Sequence, residues 1–363
     1  MPGTSAHKNS AGKNSRKKNF ASGDTAGKIS GERNSADELA LLRHAIRRRY
    51  GAAAQIENVV VPTLGGINRT LIFDLVEGAA RRRLVSRQES QGAADSPFLP
   101  SSMQFRVMRI AHAHGVPVPE PVFEYEAADA MGSGYVSAFV EGETMPRKIL
   151  RDAEFAVARE RLTGQAGQTL ALLHSIDPEE LGFLEQVADS RDPLRAQRDR
   201  LDSYAEAHPA IELGLRWLER NRARAPRRTF LHGDFRTGNL MVGRDGLRAV
   251  LDWECCHIGS PAEDLGWLCT RSWRFGDNRR PVGGFGARED LVDAYAGAGG
   301  GRIDPAELRY WEIFGLVRWA IYNVWQAHGH VFGQRRSVTF AACGRNTSLV
   351  EYDLLMTLRG PYD

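Results

Sequence analysis

Closely spaced polar residues lie between apolar segments in the stretch LHGDFRTGNL and in the LDWE that follows it. Asp234 and Asn239 are five positions apart, and Asp252 comes thirteen positions after Asn239. The intervening segments NLMV, GRDG and LRAVLD are typical of a β-hairpin, because Gly and Asp supply the turn between two apolar strands. Such a hairpin returns Asp252 to the loop that holds Asp234 and Asn239, so three oxygen-bearing side chains converge.

Carboxylate and amide oxygens without His or Cys suit a hard cation such as Mg²⁺, which keeps several waters and shares its coordination shell with phosphates. Phosphoryl transfer needs this arrangement. One carboxylate orients the attacking hydroxyl, and an Asn and a second carboxylate hold Mg²⁺ on the nucleotide. The alternative interpretation is a polar hairpin in which the Asp and Asn residues only form turns.

Composition limits the classes of function. The 363 residues suit two lobes, and 42% hydrophobic with 26% charged residues is ordinary globular composition. The net charge of +3 does not indicate nucleic-acid binding. No apolar run approaches the ~18 residues of a membrane span, so we expect a cytoplasmic protein that is neither secreted nor membrane-bound. The cysteines show no metal-binding spacing and are interpreted as reduced thiols: Cys255, Cys256, Cys269 and Cys343.

The chain divides into three parts. Residues 1–36 are rich in Lys, Ser, Gly and Asn and are predicted to be a disordered basic tail. Residues 37–140 begin with a helix capped by Asp37 and continue as a β-rich small lobe with one further helix. Residues 141–363 have helical periodicity around the embedded hairpin. The sequence therefore predicts an α+β fold of two lobes.

The segments HGDFRTGNLMV, LDWE and GSPAEDLGWLC closely resemble the aminoglycoside phosphotransferase/choline kinase superfamily. Within it, the best match is the group related to the kinase-like domain of some acyl-CoA dehydrogenase family members. Protein kinases keep the same Asp-to-Asn spacing, with HRD in place of HGD and DFG in place of DWE. The resemblance covers residues 40–330. It implies a protein-kinase-like two-lobe fold and Mg²⁺-ATP-dependent transfer of the γ-phosphate to a hydroxyl of a small molecule.

The resemblance also implies a role for each residue of the motif. Asp234 would be the catalytic base or hydroxyl-positioning residue, and Asn239 and Asp252 would hold Mg²⁺. His232 would brace the loop through a hydrogen bond from its imidazole to the backbone. Asp264 would be structural, capping the helix that follows and bracing the same loop.

The small lobe is expected to bind the nucleotide. LGGINRT resembles the family's Gly-containing hairpin, in which the backbone of Gly65 and Gly66 and the side chain of Asn68 approach phosphates; an ordinary β-turn is the alternative. Arg87 matches the strand position where kinases place a phosphate-binding Lys. The resemblance places adenine against the link between the lobes, beside Ser137, Phe139 and Val140.

One position departs from the family pattern. The helix residue that pairs with the strand cation is usually Glu, and this chain has Gln104 there. An amide gives Arg87 no ion pair, and Glu89 is an alternative partner. The departure leaves open a second function, a nucleotide-binding protein with little turnover.

The acceptor is expected among the C-terminal helices, where basic and aromatic residues are interleaved. A polycationic aminoglycoside would need an acidic cluster and choline an aromatic cage, whereas basic groups beside aromatics favour an anionic or partly apolar acceptor such as a hydroxyacyl compound. An aminoglycoside acceptor is the weaker alternative. The residues proposed to bind the acceptor are Glu254, Arg271, Trp273, Trp319 and Asn323.

Overall fold

The computed structural model describes residues 35–62, 68–89, 96–222, 227–333 and 337–360. The predicted disordered tail lies outside the described residues, except for its last two positions, which begin the first helix. Gly65 and Gly66 also lie outside them. None of the described helices is long and apolar enough to cross a membrane.

The small lobe is an antiparallel five-stranded sheet in the order β1-β2-β3-β5-β4, with one helix before it and one between β3 and β4. Apolar residues alternate along β2, so Leu71, Phe73 and Leu75 all point into a core that they share with Leu42 and Ile46 of the first helix. Its elements are α1 (Ser35–Tyr50), β1 (Gln55–Val60), β2 (Arg69–Glu77), β3 (Ala80–Gln88), α2 (Ser101–Ala113), β4 (Pro121–Glu124) and β5 (Gly134–Ala138).

The predicted start of α1 was two residues late. The helix begins at Ser35, and Asp37 lies in its first turn with Glu38 instead of capping it. Carboxylates in a first turn interact favourably with the positive end of the helix dipole, so both residues still favour a helix start in this region.

The large lobe is mostly helical, with a core that runs along the long helices α4 and α10. Its helices are α3 (Pro146–Arg151), α4 (Ala156–His174), α5 (Ala188–Arg191), α6 (Pro193–Asp202), α7 (Pro209–Arg220), α8 (Pro261–Cys269), α9 (Arg288–Tyr295), α10 (Pro305–Val331) and α11 (Val338–Arg359). Its strands are β6 (Thr229–Leu231), β7 (Leu240–Gly243), β8 (Gly246–Val250) and β9 (His257–Gly259).

The hairpin expected from the sequence is confirmed. Strands β7 and β8 pair from Leu240 with Val250 to Gly243 with Gly246. At the open end of the hairpin, just beyond the pair of Leu240 and Val250, the amide of Leu251 donates to the carbonyl of Asn239 at 2.8 Å. The residue after Leu251 is therefore held beside the loop that precedes β7.

Candidate active site

A loop between β6 and β7 carries Asp234, and Gly233 gives it its path. Gly233 has φ +75°, and a Cβ there would lie 2.2 Å from the carbonyl oxygen of Cys255. Only Gly tolerates both the left-handed conformation and this approach, so the chain has HGD where protein kinases have HRD. Asp264 braces the loop because its carboxylate accepts from the amides of His232 and Gly233, each at 2.8 Å.

The expected cap by Asp264 is wrong. Asp264 lies within the first turn of α8, after the N-cap residue Ser260, which itself makes no side-chain capping bond. Its carboxylate points back to the loop instead, where it also contacts His174 at 3.2 Å. Asp264 therefore joins the loop to the end of α4 and does not cap α8.

His232 bonds the backbone on both sides of the site, as expected. Its Nδ1 accepts from the amide of Asp234 at 3.2 Å, and its Nε2 donates to the carbonyl of Leu251 at 3.1 Å. This pattern requires the neutral ring, and burial lowers the pKa of His232 in agreement with it. His232 therefore joins the loop to the end of β8 without contributing charge.

Three side chains donate hydrogen bonds to the carboxylate of Asp234. Asn239 Nδ2 lies 2.6 Å from Oδ2, and Trp267 Nε1 lies 2.8 Å from Oδ1. Arg236 Nε lies 3.0 Å from Oδ1 and 3.3 Å from Oδ2. Sequence reasoning missed Arg236 and Trp267. The position of Arg236 two residues after Asp234 was a usable signal, whereas nothing in the sequence shows that Trp267 reaches this carboxylate from α8.

Asp252 lies across the hairpin from Asn239 in a left-handed conformation, with φ 70° and ψ 66°. This is an uncommon backbone state for a residue other than Gly, and such states concentrate at functional sites. Burial opposes ionisation of Asp252, but Arg87 Nη2 at 2.6 Å holds its pKa below the ordinary value. An ionised carboxylate beside an amide oxygen is a donor set that fits Mg²⁺. Across the residues described, no group of three or more His, Cys, Asp or Glu side chains is arranged to hold a metal.

Arg87 joins the small lobe to this site. Besides Asp252 it contacts Glu254 Oε2 at 3.2 Å, and with its amide oxygen toward Arg87, Asn68 accepts from Nε at 3.2 Å and Nη2 at 3.0 Å. Burial raises the pKa of Glu254 to about 8, and the charge of Asp252 adds to this effect. Glu254, expected on the acceptor side, thus contacts Arg87 of the small lobe, and its part in binding the acceptor stays a prediction.

The model of the phosphotransferase enzyme family APH matches residues 65–309 of the chain. The chain belongs to this family. Acyl-CoA dehydrogenase family member 10 of Mus musculus is 30% identical over 205 residues, which cover 52% of this chain and 18% of that protein. The match thus spans less than a fifth of the relative's length.

Solved structures show that the fold is kinase-like. A protein of Ralstonia eutropha described as a candidate aminoglycoside phosphotransferase superposes with a TM-score of 0.63 at 21% identity, covering 89% of this chain and 99% of that one. A spectinomycin phosphotransferase in complex with ADP and spectinomycin gives a TM-score of 0.60 at 12% identity, with 88% and 98% covered. The expected two-lobe α+β fold of the family is confirmed.

Neither partner expected for Arg87 from the family pattern pairs with it. Gln104 is buried and donates from Nε2 to the carbonyl of Leu99 at 2.7 Å, and its Oε1 has no hydrogen-bond partner among the described residues. Glu89 bonds the hydroxyl of Ser101 at 3.1 Å and so holds the start of α2. In this phosphotransferase Asp252 is the counterion of Arg87, and Glu254 is a further hydrogen-bond acceptor beside it.

The link between the lobes begins at β5. Ser137 is paired with Val85 of β3 and is buried. The amide of Phe139 donates to the carbonyl of Arg83 at 2.9 Å, and the Arg83 guanidinium carbon lies 4.7 Å from the centre of the Phe139 ring. The amide of Phe139 is therefore not available to adenine. Val140 follows it along the link.

Two of the proposed acceptor residues lie together beside Arg236. The ring of Trp273 is 5.1 Å from that of Trp267 and 4.9 Å from that of Trp319. The Arg236 guanidinium carbon lies 4.7 Å from the centre of the Trp273 ring. Asn323, one helical turn after Trp319, is completely buried, and neither atom of its amide has a hydrogen-bond partner within the described part of the chain.

Arg271 lies two residues before Trp273, at the other end of the same short helical turn. It pairs with Asp353 at 3.3 Å and lines a cavity of about 620 Å³ between α9, α10 and α11. The lining of that cavity includes none of Asp234, Asn239 and Asp252. Arg271 therefore faces this cavity, and its part in binding the acceptor stays a prediction.

Arg318 is a further residue whose place the sequence did not show. It is buried in α10 and donates to the carbonyl of Gly233 at 2.9 Å. Its guanidinium carbon lies 5.2 Å from the centre of the Trp267 ring. Its bond to Gly233 braces the loop that carries Asp234.

Proposed function

We propose that the protein is a Mg²⁺-ATP-dependent phosphotransferase that transfers the γ-phosphate to a hydroxyl of a small molecule. Membership of the phosphotransferase family supports phosphoryl transfer in general. The observation that carries the specific proposal is one short loop in which Asn239 fixes the carboxylate of Asp234, while the backbone of Asn239 also holds the segment that ends in Asp252. This is the arrangement of base and metal ligands that phosphoryl transfer requires.

In this mechanism Asp234 accepts the hydrogen bond of the acceptor hydroxyl and takes its proton. The hydroxyl oxygen forms a bond to the γ-phosphorus, the bond from that phosphorus to the bridging oxygen of ADP breaks, and ADP leaves. Asn239 and Trp267 hold the orientation of Asp234 throughout. Asn239 and Asp252 would hold Mg²⁺, which when bound neutralises charge on the β- and γ-phosphates.

The nucleotide is proposed to lie between β3 and the hairpin. Arg87 is the residue of β3 that reaches this space, and a guanidinium can bind two phosphate oxygens at once. Asn68, Gly65 and Gly66 are proposed to approach the phosphates from the other side, and Ser137, Phe139 and Val140 to border the adenine. The ADP bound to the related spectinomycin phosphotransferase supports an adenine nucleotide.

The acceptor is proposed to bind against Trp273, Trp319 and Asn323. Aromatic faces beside the cation of Arg236 favour an anionic, partly apolar molecule such as a hydroxyacyl compound over a polycation. The name of the mouse relative, an acyl-CoA dehydrogenase family member, supports the same class. The alternative of a nucleotide-binding protein with little turnover depends on Gln104, whereas the pairing of Arg87 with Asp252 supports a placed phosphate-binding cation without a Glu at that position.

The deciding experiment measures ADP release from Mg²⁺-ATP with a panel of hydroxyacyl-CoAs, hydroxy acids, amino-sugars, choline-like amines and aminoglycosides. Asp234→Asn keeps the shape of the side chain and removes the base, so we expect turnover to fall by about a hundredfold or more while ATP still binds. Asp245→Asn, at an exposed turn of the same hairpin, is the matched control. Equal turnover in wild type and Asp234→Asn would contradict the assignment of Asp234.

A further inference from the structure

Three protein N–H groups face the carboxylate of Asp234, and one of them, the Nε–H of Arg236, is shared between its two oxygens. A carboxylate has about four acceptor sites, two on each oxygen. Oδ1 accepts from Trp267 Nε1 at 2.8 Å and Arg236 Nε at 3.0 Å, and Oδ2 accepts from Asn239 Nδ2 at 2.6 Å and Arg236 Nε at 3.3 Å. An acceptor hydroxyl that is to donate its proton to Asp234 therefore competes with these donors for the carboxylate oxygens.

The three donors differ in how firmly they are held. Trp267 is 3% exposed and its ring lies between Trp273 and Arg318. Asn239 is 5% exposed and also donates to the backbone carbonyl of Asp234 at 2.9 Å. The side chain of Arg236 is 25% exposed, and in the described part of the chain its recorded hydrogen bonds all go to Asp234. Arg236 is the donor that can leave.

The surroundings of Arg236 also indicate what would draw it away. Its guanidinium lies over the face of Trp273, along which a planar cation can slide while keeping its contact. Trp273 in turn contacts Trp319, on the face of α10 that carries the unpartnered amide of Asn323 one turn later. A carboxylate or phosphate in this region would form a bidentate pair with the guanidinium, which is stronger than the single Nε contact to Asp234.

We propose that Arg236 covers Asp234 and is drawn aside by an anionic group on the acceptor. The anionic group thereby exposes the base to which the hydroxyl of the same acceptor donates its proton. The inference rests on the proposed function and narrows its substrate class to hydroxylated acids with the anion close to the reacting hydroxyl. Neutral and cationic alcohols bind beside a base that stays covered. Arg236 is thus a positioning residue that sets acceptor specificity.

The test compares short hydroxy acids that differ in the position of the hydroxyl, each beside its primary amide, in the wild type and in Arg236→Met and Arg236→Lys. In the wild type, kcat/KM should favour the best acid over its amide by about ten- to a hundredfold, the range of one lost charge-assisted hydrogen bond. Arg236→Met should lose at least tenfold of that preference, mainly through the KM of the acid, with the KM of ATP unchanged. Arg236→Lys should restore part of it. Arg248→Met, a hairpin arginine of 42% exposure paired with Asp245, is the control.

Two results overturn the inference. One is an acid-to-amide preference that survives Arg236→Met. The other is an effect of Arg236→Met on the KM of ATP alone, which would make Arg236 a phosphate-binding residue. Tryptophan fluorescence of Trp273 separates this inference from the proposed function. If the wild type transfers no phosphate but binds an acid in a way that Arg236→Met abolishes, the proposed function fails, and only the binding of an anion by Arg236 is retained. If no acid binds through Arg236, the inference fails.

Discussion

Two arginine–carboxylate pairs face each other across the proposed active site, and they are built differently. Arg87 and Asp252 are 165 positions apart, one on a strand of the small lobe and the other after the hairpin of the large lobe. Arg236 and Asp234 are two positions apart on one loop. The first pair exists only when the lobes are in contact, whereas the second needs only the local backbone.

This difference separates the two proposed substrates. Arg87 reaches from one lobe to the other, so a nucleotide that binds between the lobes would contact it directly. An arginine on the loop of the base responds to whatever approaches that base. We therefore expect substitutions of Arg87 to affect ATP and substitutions of Arg236 to affect the acceptor, with little exchange between them.

The largest effect that would test this separation is expected from Arg87→Met. Loss of a charged hydrogen-bond donor to phosphate removes about 1.5–3 kcal/mol, so the KM of ATP should rise by about ten- to a hundredfold. The acid-to-amide preference of the acceptor should not change. Initial rates measured against each substrate in turn show both parameters, and Arg82→Met, an exposed arginine of the same strand, is the control. A change in acceptor preference in Arg87→Met would show that the two arginines do not act on separate substrates.

A smaller effect on turnover is expected from Gln104→Glu. The family pattern predicts that Glu at this position helps to place Arg87, but the Nε2 of Gln104 donates to the carbonyl of Leu99 in a buried setting. A carboxylate there would face another acceptor, so the free energy of unfolding should fall by about 1–3 kcal/mol. The KM of ATP should not improve. Urea unfolding and ATP kinetics measure the two quantities, with Gln104→Met as the variant that loses the hydrogen bond without adding a charge. A lower KM of ATP in Gln104→Glu would contradict this prediction, because it would indicate that a Glu at this position pairs with Arg87 as the family pattern predicts.

The sequence predicted the parts of the site that are close along the chain. The spacing of Asp234 and Asn239 and the apolar strands on each side of the turn were enough to place Asp252 across the hairpin. The sheet of the small lobe followed from alternating apolar residues and turn signals, and the family motif implied the kinase-like fold.

Contacts between distant segments could not be predicted in the same way. Nothing local shows that Trp267 and Arg318, on two different helices, reach the loop of Asp234, because helix packing alone brings them there. The side of the site on which Glu254 lies depends on the left-handed backbone of Asp252, which no residue type at that position requires. Arg236 was visible two residues from the base, but its role depends on Trp273, whose position is set by the packing of α8 against α10.

The smallest effect on turnover is expected at a third arginine–carboxylate cluster, which touches neither proposed substrate. Asp129 is buried in the small lobe and accepts from Arg48 at 2.5 Å and from Arg49 at 2.7 Å and 2.8 Å. Burial opposes ionisation, but the bonds from Arg49, from the amide of Glu126 and from Arg48 lower the pKa of Asp129 to about 2 from an ordinary 3.8. Because the folded pKa is the lower one, this stabilisation is complete above about pH 4 and is lost as the pH falls toward 2.

Asp129→Asn should therefore lower the free energy of unfolding by about 2 kcal/mol at neutral pH, a difference that shrinks as the pH falls below about 4. Both KM values should stay as in the wild type, because Asn keeps the bond to the amide of Glu126 and the side-chain partners of Asp129 are Arg48 and Arg49, which belong to neither proposed binding site. Urea unfolding at several pH values and kinetics at pH 7 test the two parts. A changed KM of ATP would mean that a structural change at the outer edge of the small-lobe sheet alters the position of Arg87. The separate effects of Arg87 on ATP and of Arg236 on the acceptor would then depend on the whole small lobe and not only on the contacts of the two arginines.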